Sequence, residues 1–304
     1  MDRFEAIRTL LAAIDGGSLS AAARSLSTPL PTVSRRVSDL EAQLGTQLVI
    51  RTSRKLILTE AGAAYVAAMR RVVEQVAEAE RAAAGEYRAP RGELIVTAPI
   101  LFGGLHVAPI VHHFLAAYPE VSVRLVLSDA NVDLVENHVD VALRIGTLPD
   151  STLIAQRVGA VRWVVCASPD YLARRGEPTT PAALTEHDCI AFEGLQTYRL
   201  WPFGTGARAQ TVAIRPRFSV NTADAIVAAA VAGLGVARVM SYQASRAVAE
   251  RQLIALLRDD DSDPRPVHLL HAPHPLLPLK LRAFLDFVAP RLKIALESVE
   301  HSYA

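Results

Sequence analysis

Residues Leu19–Leu48, LSAAARSLSTPLPTVSRRVSDLEAQLGTQL, decide how this chain is organised. Gly16, Gly17 and Ser18 announce a first helix, a breaker followed by an N-cap, and Leu19, Ala22, Ala23 and Leu26 then recur at helical spacing. Ser27-Thr28-Pro29 stops it. A second helix starts near Pro31, where proline removes no helical hydrogen bond, and runs to about Leu44 before Gly45 ends it. Its Val33, Val37, Leu40 and Leu44 are spaced by four, three and four and form one buried stripe. The other face shows Thr32, Ser34, Arg35, Arg36 and Ser38, a short polar and cationic surface with no core role. Two such helices and a tight turn suit a helix-turn-helix, whose second helix enters a DNA major groove. Between Ser18 and Leu56 six cations face two carboxylates, a local balance of +4 in a chain of only +1. Positive charge is thus concentrated where phosphate contact needs it. Periodicity and charge alone fit an ordinary helical hairpin with solvated arginines equally well.

The ordered matches extend further. Ala21-Ala22-Ala23-Arg24-Ser25-Leu26, Pro31-Thr32-Val33-Ser34-Arg35-Arg36-Val37, Leu40-Glu41, Leu44-Gly45, Leu48, Arg51, Arg54 and Leu58-Thr59-Glu60-Ala61-Gly62 together resemble the N-terminal domain of LysR-type transcriptional regulators. The resemblance implies a winged helix-turn-helix over residues 1–59. Its DNA contacts would come from Ser20, Leu30, Pro31, Thr32, Ser34, Arg35, Arg36 and Ser38, with Arg51 and Arg54 on a wing. Gln47–Leu58 reads as that wing, a short hairpin with Thr52, Ser53 and Arg54 at its tip, and Arg54 suits a narrow minor groove or a phosphate. One departure stands out: family members commonly carry Ser-Gln-Pro-Ala where this chain has Pro29-Leu30-Pro31-Thr32. Leu30 replaces a hydrogen-bonding glutamine and leaves apolar contact with a thymine methyl.

At 304 residues the chain exceeds one core, so two or three domains are expected. A hydrophobic share of 51% with 21% charged residues is that of a globular protein. Cys166 and Cys189 are read as reduced buried thiols, which fits a cytoplasmic location. Met1-Asp2-Arg3 leads straight into an amphipathic helix carrying Phe4, Ile7, Leu10, Leu11 and Ile14, so no secretory signal is expected. The longest apolar run, Ala225–Ala237, is shorter than the ~20 residues a bilayer span needs, so a soluble protein without membrane attachment is expected.

Thr59 caps a long predicted helix from Glu60 to about Glu86, with residues 60–88 taken as a linker and dimerisation element. Tyr65, Met69, Val72, Val76, Ala79 and Ala83 alternate by four and three, the seam of a coiled coil. A helix of this length, with so narrow a stripe, is expected to pair with a second copy rather than bury itself on the small N-terminal domain. Glu86–Arg91, with Pro90, marks a hinge. Strands are predicted at 93–97, 121–127, 139–144, 162–167, 190–192, 236–239 and 267–271. Helices are predicted near 105–117, 132–137, 169–174, 222–232 and 278–292. This alternation implies a mainly parallel sheet flanked by helices.

The second half also resembles the effector-binding domain of the same family, through Tyr118-Pro119-Glu120-Val121, Asp140-Val141-Ala142-Leu143-Arg144-Ile145-Gly146, Ala167-Ser168-Pro169-Asp170-Tyr171-Leu172, Gly233-Leu234-Gly235-Val236 and Lys280–Phe287. The resemblance implies a two-lobed α/β domain over residues 92–300, similar to periplasmic binding proteins. Lobe 1 would hold about 92–160 and 264–296, lobe 2 about 161–263. The whole fold class is therefore α plus α/β. Ligands in such folds sit beyond the carboxyl ends of strands. That places Thr97, Pro99, Ile100, Leu101, Phe102, Arg144, Ile145 and Gly146 of one lobe opposite Phe192, Trp201, Asn221 and Thr222 of the other. Helix amides after Pro99 would hold an anion. Leu101 stands where relatives often have Ser or Thr, so an apolar pocket for a small or aromatic carboxylate is expected.

Other motifs carry less. Gly233-Leu234-Gly235 follows a helix and opens a strand, the reverse of a dinucleotide loop, so it reads as a tight turn. His106, His112, His113, His268, His271 and His274 lack the spacing and the completing thiolate or carboxylate of a metal site. No nucleophile, base and orienter can be assembled from spacing, so no catalytic residue, metal or cofactor is assigned. The expected function is a cytoplasmic LysR-type regulator, a dimer or tetramer binding double-stranded promoter DNA under control of a small-molecule effector, with RNA polymerase as a further partner. The rival is an effector module like a solute-binding protein, with no DNA function.

Overall fold

The computed structural model describes residues 2–51, 56–83, 89–130, 134, 137–193, 199–260, 263–274 and 277–303. The chain divides into two compact units, Met1–Arg88 and Ala89–Ala304.

In the first unit, α1 (Arg3–Asp15) starts where Asp2 Oδ1 accepts the Phe4 amide at 2.9 Å. α2 (Leu19–Ser25) starts at Ser18, whose Oγ accepts the Ala21 amide at 3.1 Å. α3 (Leu30–Leu44) carries Pro31 in its first turn and ends at Gly45, whose φ of 64° is a left-handed position that glycine takes without strain. β1 (Val49–Arg51) and β2 (Leu56–Leu58) pair antiparallel. α4 (Glu60–Ala83) then begins at Thr59, whose Oγ1 accepts the Gly62 amide at 2.9 Å and donates to the Gln47 carbonyl at 2.8 Å. Ile7, Leu10, Leu11, Val37, Leu40, Leu48, Val49 and Val66 form one core, and Ala13, Ala22 and Val33 a second cluster.

α4 departs from the expected seam. Val66 is buried in the core of its own domain, and Tyr65, Met69 and Val73 pack against it. Arg70 and Asp15 add an ion pair to α1. At 3.6 residues per turn these positions share one face, and α1 supplies the apolar surface they cover. The first half of the helix therefore does bury itself on the small domain, and Tyr65 and Met69 are core residues. Val72 remains 39% exposed and Val76 half-buried. The side chains of Ala79 and Ala83 lie outside the described residues.

The second unit holds two five-stranded sheets. The first contains β3 (Gly92–Ala98), β4 (Val121–Leu127), β5 (Val141–Ile145) and β6 (Ile154–Val161). α5 (Ile100–Phe102), a π turn (Gly103–Val107) and α6 (Ala108–Ala117) connect β3 to β4. The second sheet begins at β7 (Trp163–Ala167), followed by α7 (Pro169–Arg175) and β8 (Asp188–Phe192). A hairpin of β9 (Leu200–Phe203) and β10 (Gln210–Ala213) leads to β11 (Arg215–Val220), α8 (Ala223–Val231) and β12 (Val236–Met240). α9 (Ser241–Ala249) and β13 (Ile254–Leu256) complete that lobe. β14 (Arg265–His271) then returns to the first sheet, and α10 (Leu279–His301) closes the unit. The strand orders are β4-β3-β5-β14-β6 and β11-β8-β12-β7-β13.

The sheets are not mainly parallel. Each has two parallel and two antiparallel pairings. Strands joined by crossover helices run parallel, whereas β7 and β14, by which the chain enters each sheet from the other, run against both of their neighbours, so that β6 and β13 at the edges run with the parallel strands. Only Arg162 separates β6 from β7. Its side chain is ion-paired with Glu300, and its amide donates to Ser241 Oγ at 3.3 Å. β6, β9, β10, β11, β13 and α9 were not predicted, and α10 continues through Pro290 to His301, nine residues past the expected Leu292. The predicted helix near 132–137 falls mostly outside the described residues.

The main core runs through both lobes, from Leu94, Val96, Phe102 and Phe114 to Cys166, Ile190, Ile226 and Tyr242. The helical run Ile100–Ala117 is apolar enough by length and composition to cross a membrane, but its Phe102, Val107, Ile110, Val111 and Phe114 belong to this core. Cys166 and Cys189 are both free and buried, and burial pushes both thiols up to about 12.

Candidate nucleic-acid interface and effector site

α3 presents two faces. Val33, Val37 and Leu40 are fully buried, while Pro31, Arg35 and Ser38, spaced by four and three, are exposed on the other side. Ser20 is exposed on α2, Leu30 is 43% exposed, and Thr32 and Ser34 are half-buried beside the stripe. Arg36 differs from the expectation. It is ion-paired with Glu5 of α1 and half-buried, because an arginine one residue past the stripe reaches the neighbouring helix instead of the open side. Arg35 is thus the exposed cation of this face. Arg54 and the side chain of Arg51 lie outside the described residues.

In the sequence Glu41 is one of the local charges and a matched family position, with no contact assigned to it. Its Oε1 accepts the amides of Leu48 and Val49 at 2.8 and 3.0 Å, fixing the first wing strand to the end of α3. These partners lie seven and eight residues on, a spacing with no helical or turn signature.

The expected effector residues fall into three places. Phe102 is fully buried in the main core, and Leu101, Ile145 and Phe192 pack against that same core from both lobes. Trp201 does not join them; it is 6% exposed in a separate lobe 2 core with Phe203, Val212 and Ile214. Thr97 and Arg144 occupy the opposite face of the first sheet. There Ile95, Ala142 and Leu270, two residues away along their own strands, pack with Leu134, Val139, Leu148 and Leu153. Pro99 is half-buried and Ile100 is 47% exposed. Gly146 has φ 108°, and a β-carbon there would lie 3.6 Å from the Arg265 guanidinium. Asn221 is exposed and Thr222 precedes α8.

At the two helix starts among the expected residues, those of α5 and α8, a carboxylate already stands. The Ile100 amide donates to Asp129 Oδ1 at 3.0 Å. Hydrogen bonds from the Thr222 hydroxyl and the Ala225 amide hold the Asp224 carboxyl below its ordinary value. Each helix start already has its own carboxylate, the charge its dipole favours. Nearby, Phe102, His106 and Tyr242 form a ring cluster with centroids 4.9 to 5.9 Å apart. His106 Nε2 has no partner there, and burial holds the imidazole below its ordinary value.

Comparison with known proteins agrees with this architecture. The family model described as bacterial regulatory helix-turn-helix protein, lysR family, matches residues 4–63, and the LysR substrate binding domain matches residues 88–293. The chain belongs to the LysR family of transcriptional regulators. An HTH-type transcriptional regulator of Xanthomonas campestris pv. campestris is 34% identical over 283 residues, covering 92% of this chain and 82% of that protein. CrgA, a LysR-type regulator of Neisseria meningitidis, has a solved structure 32% identical to this chain, with a TM-score of 0.62 and coverage of 95% and 98%. Full-length AphB, the Vibrio cholerae virulence activator, is 27% identical with a TM-score of 0.59 and coverage of 93% and 97%. This LysR-type chain thus pairs a helix-turn-helix domain with an effector-binding domain, and the rival of a solute-binding module without DNA function is set aside.

Proposed function

We propose that this regulator reads an interrupted inverted repeat as a dimer or dimer of dimers in the cytoplasm, and that a small carboxylate held in the second unit alters its output. It does so without catalysis. The observation that carries the DNA half is the two-faced α3, with Val33, Val37 and Leu40 buried opposite exposed Pro31, Arg35 and Ser38. Such a helix has a packed back and an exposed front, the form of an element that enters a major groove. Arg35 makes the base or phosphate contact, with Ser20, Leu30, Thr32, Ser34 and Ser38 around it, and Arg51 and Arg54 on the wing. Arg36 positions α3 through Glu5. Two such helices bound to half-sites about one DNA turn apart require a two-fold partner.

The test is a shift assay at fixed salt on the DNA upstream of the regulator's own gene. Arg35→Ala is expected to cost about 1 to 3 kcal/mol of operator affinity with relaxed specificity. Arg36→Ala is expected to act mainly through stability, within about 1 kcal/mol, as a partly exposed ion pair does. Unchanged affinity in Arg35→Ala would show that α3 is not the reading helix.

A further inference from the structure

Thr97, Arg144 and His268 sit on one face of the first sheet, on the neighbouring strands β3, β5 and β14. Thr97 pairs with Ala142, Arg144 lies two residues further along β5 on the same face, and His268 stands directly opposite Arg144. Each has a buried side-chain atom without a hydrogen-bond partner: Thr97 Oγ1, Arg144 Nη2 and His268 Nδ1. Thr97 is only 1% exposed, so water does not serve it from outside. A buried polar group without a partner costs free energy, and three on adjacent strands call for an explanation.

Charge supplies one. On this face β5, β6 and β14 carry Arg144, Arg157 and His268 and no carboxylate within the strands, and the carboxylate of Asp140, just before β5, accepts the Ile95 amide at 2.7 Å. Arg157 stands opposite His268 in the register. Arg144 Nη1 donates to its neighbour's carbonyl, that of Leu143, at 3.0 Å, and no ion pair reaches it among the described residues. Burial lowers the Arg144 guanidinium from its ordinary value, and burial with the Arg157 charge lowers His268. The surroundings are apolar, with Ile95, Ala142, Leu148, Leu153 and Leu270 on the same face. Arg144 and His268 are each half-buried, so the group of three borders on solvent.

We propose that this sheet face is the seat of the effector's anionic group: the carboxylate of a small acid with an apolar body, held by Arg144 with Thr97 and His268 instead of by helix amides. The proposal rests on the effector reading above and adds His268, to which the sequence assigned no role. A carboxylate accepts from the guanidinium and the hydroxyl, and the imidazole Nδ1–H tautomer donates the third bond.

The test uses the full chain in thermal-shift and titration calorimetry with benzoate, butyrate, inorganic phosphate, benzyl alcohol and benzylamine. At least one of the two carboxylates should raise the melting temperature. Thr97→Val, nearly the same shape, and His268→Leu should each weaken that carboxylate at least tenfold. Thr97→Val should also raise the melting temperature of the ligand-free protein, because it removes a hydroxyl with no bond to lose. A lower melting temperature for ligand-free Thr97→Val overturns the seat, as does undiminished carboxylate affinity in both variants. Stabilisation by phosphate, alcohol or amine alone, or by none of the five, overturns it too. Operator affinity measured alongside separates the two claims. A non-carboxylate that changes operator affinity sinks the seat and leaves the effector reading standing. A carboxylate that needs Thr97 and His268 but leaves operator affinity unmoved sustains the seat and sinks the effector reading.

Discussion

Gly62 shows how much one missing side chain can matter. A β-carbon at this position would lie 1.9 Å from the Leu48 carbonyl oxygen, where backbone faces backbone and nothing can yield cheaply. The first turn of α4 and the entry to the wing share that space, next to the Thr59 cap. Gly62→Ala is therefore expected to cost at least about 2 kcal/mol by overpacking, read as a lower midpoint in urea unfolding. His106 gives a second residue-scale expectation. Its folded-state value is lowered by burial, so below about pH 6.5 the unfolded chain binds a proton that the folded chain does not. Stability is then complete above that pH and falls as pH drops towards the folded value. The melting temperature should be lower at pH 5.5 than at pH 7.5, and His106→Leu should shrink the difference; an equal fall in the variant would assign it to other groups. His187, His268 and His274 are lowered as well, so part of the fall persists. The residue scale was also the least legible in sequence. Arg36 and Arg35 are neighbours of one type, and only Glu5, 31 residues away, distinguishes them. Trp201 has the composition of a pocket wall, yet Phe203, Val212 and Ile214 enclose it.

Elements were legible where their stabilising contacts are local. α3 could be read because its first-turn proline and its stripe lie within its own fifteen residues and the Gly45 that ends it comes directly after them. β4 fell where predicted, at Val121–Leu127, bounded by turn signals. β6 and β13 were not seen, because they owe their existence to partners far along the chain: among the described residues β6 pairs with β14, more than a hundred residues later, and β13 with β7, more than eighty residues earlier. α4 lies between these cases. Its four-three periodicity is real, but periodicity names a stripe and not what covers the stripe. The two covers are separable by mutation. Val72→Glu, on an exposed position, is expected to leave the domain folded while lowering self-association, measured by sedimentation. Met69→Glu puts a carboxylate against the domain core, and its first effect should be unfolding. If Val72→Glu leaves the sedimentation coefficient unchanged, this face of α4 is not the dimer contact.

For the whole molecule, two units with separate cores imply two cooperative transitions. Scanning calorimetry should resolve them, and a carboxylate bound in the second unit should move the transition of that unit by mass action. A single transition shifted as a whole would show that the units unfold together. A change of pattern along the chain could be read from the sequence because the helices of residues 1–59 and the later α/β alternation differ so plainly in period. What sequence reading did not give was the half-antiparallel build of each sheet, since the chain's passage between lobes is a matter of route and not of composition.

The π turn at Gly103–Val107 bears on how such a protein can change over generations. A π turn holds one residue more than an α-helical path needs, and at Gly104 a side chain would meet nothing within 4 Å. Loss of that surplus residue would turn Ile100-Leu101-Phe102 by about 100° relative to α6, while a slip of one residue in a neighbouring strand would invert every side chain on it. The helix after β3 is therefore the place where insertion or deletion can re-key one wall of the effector domain in a single step, leaving the sheets that carry it in register.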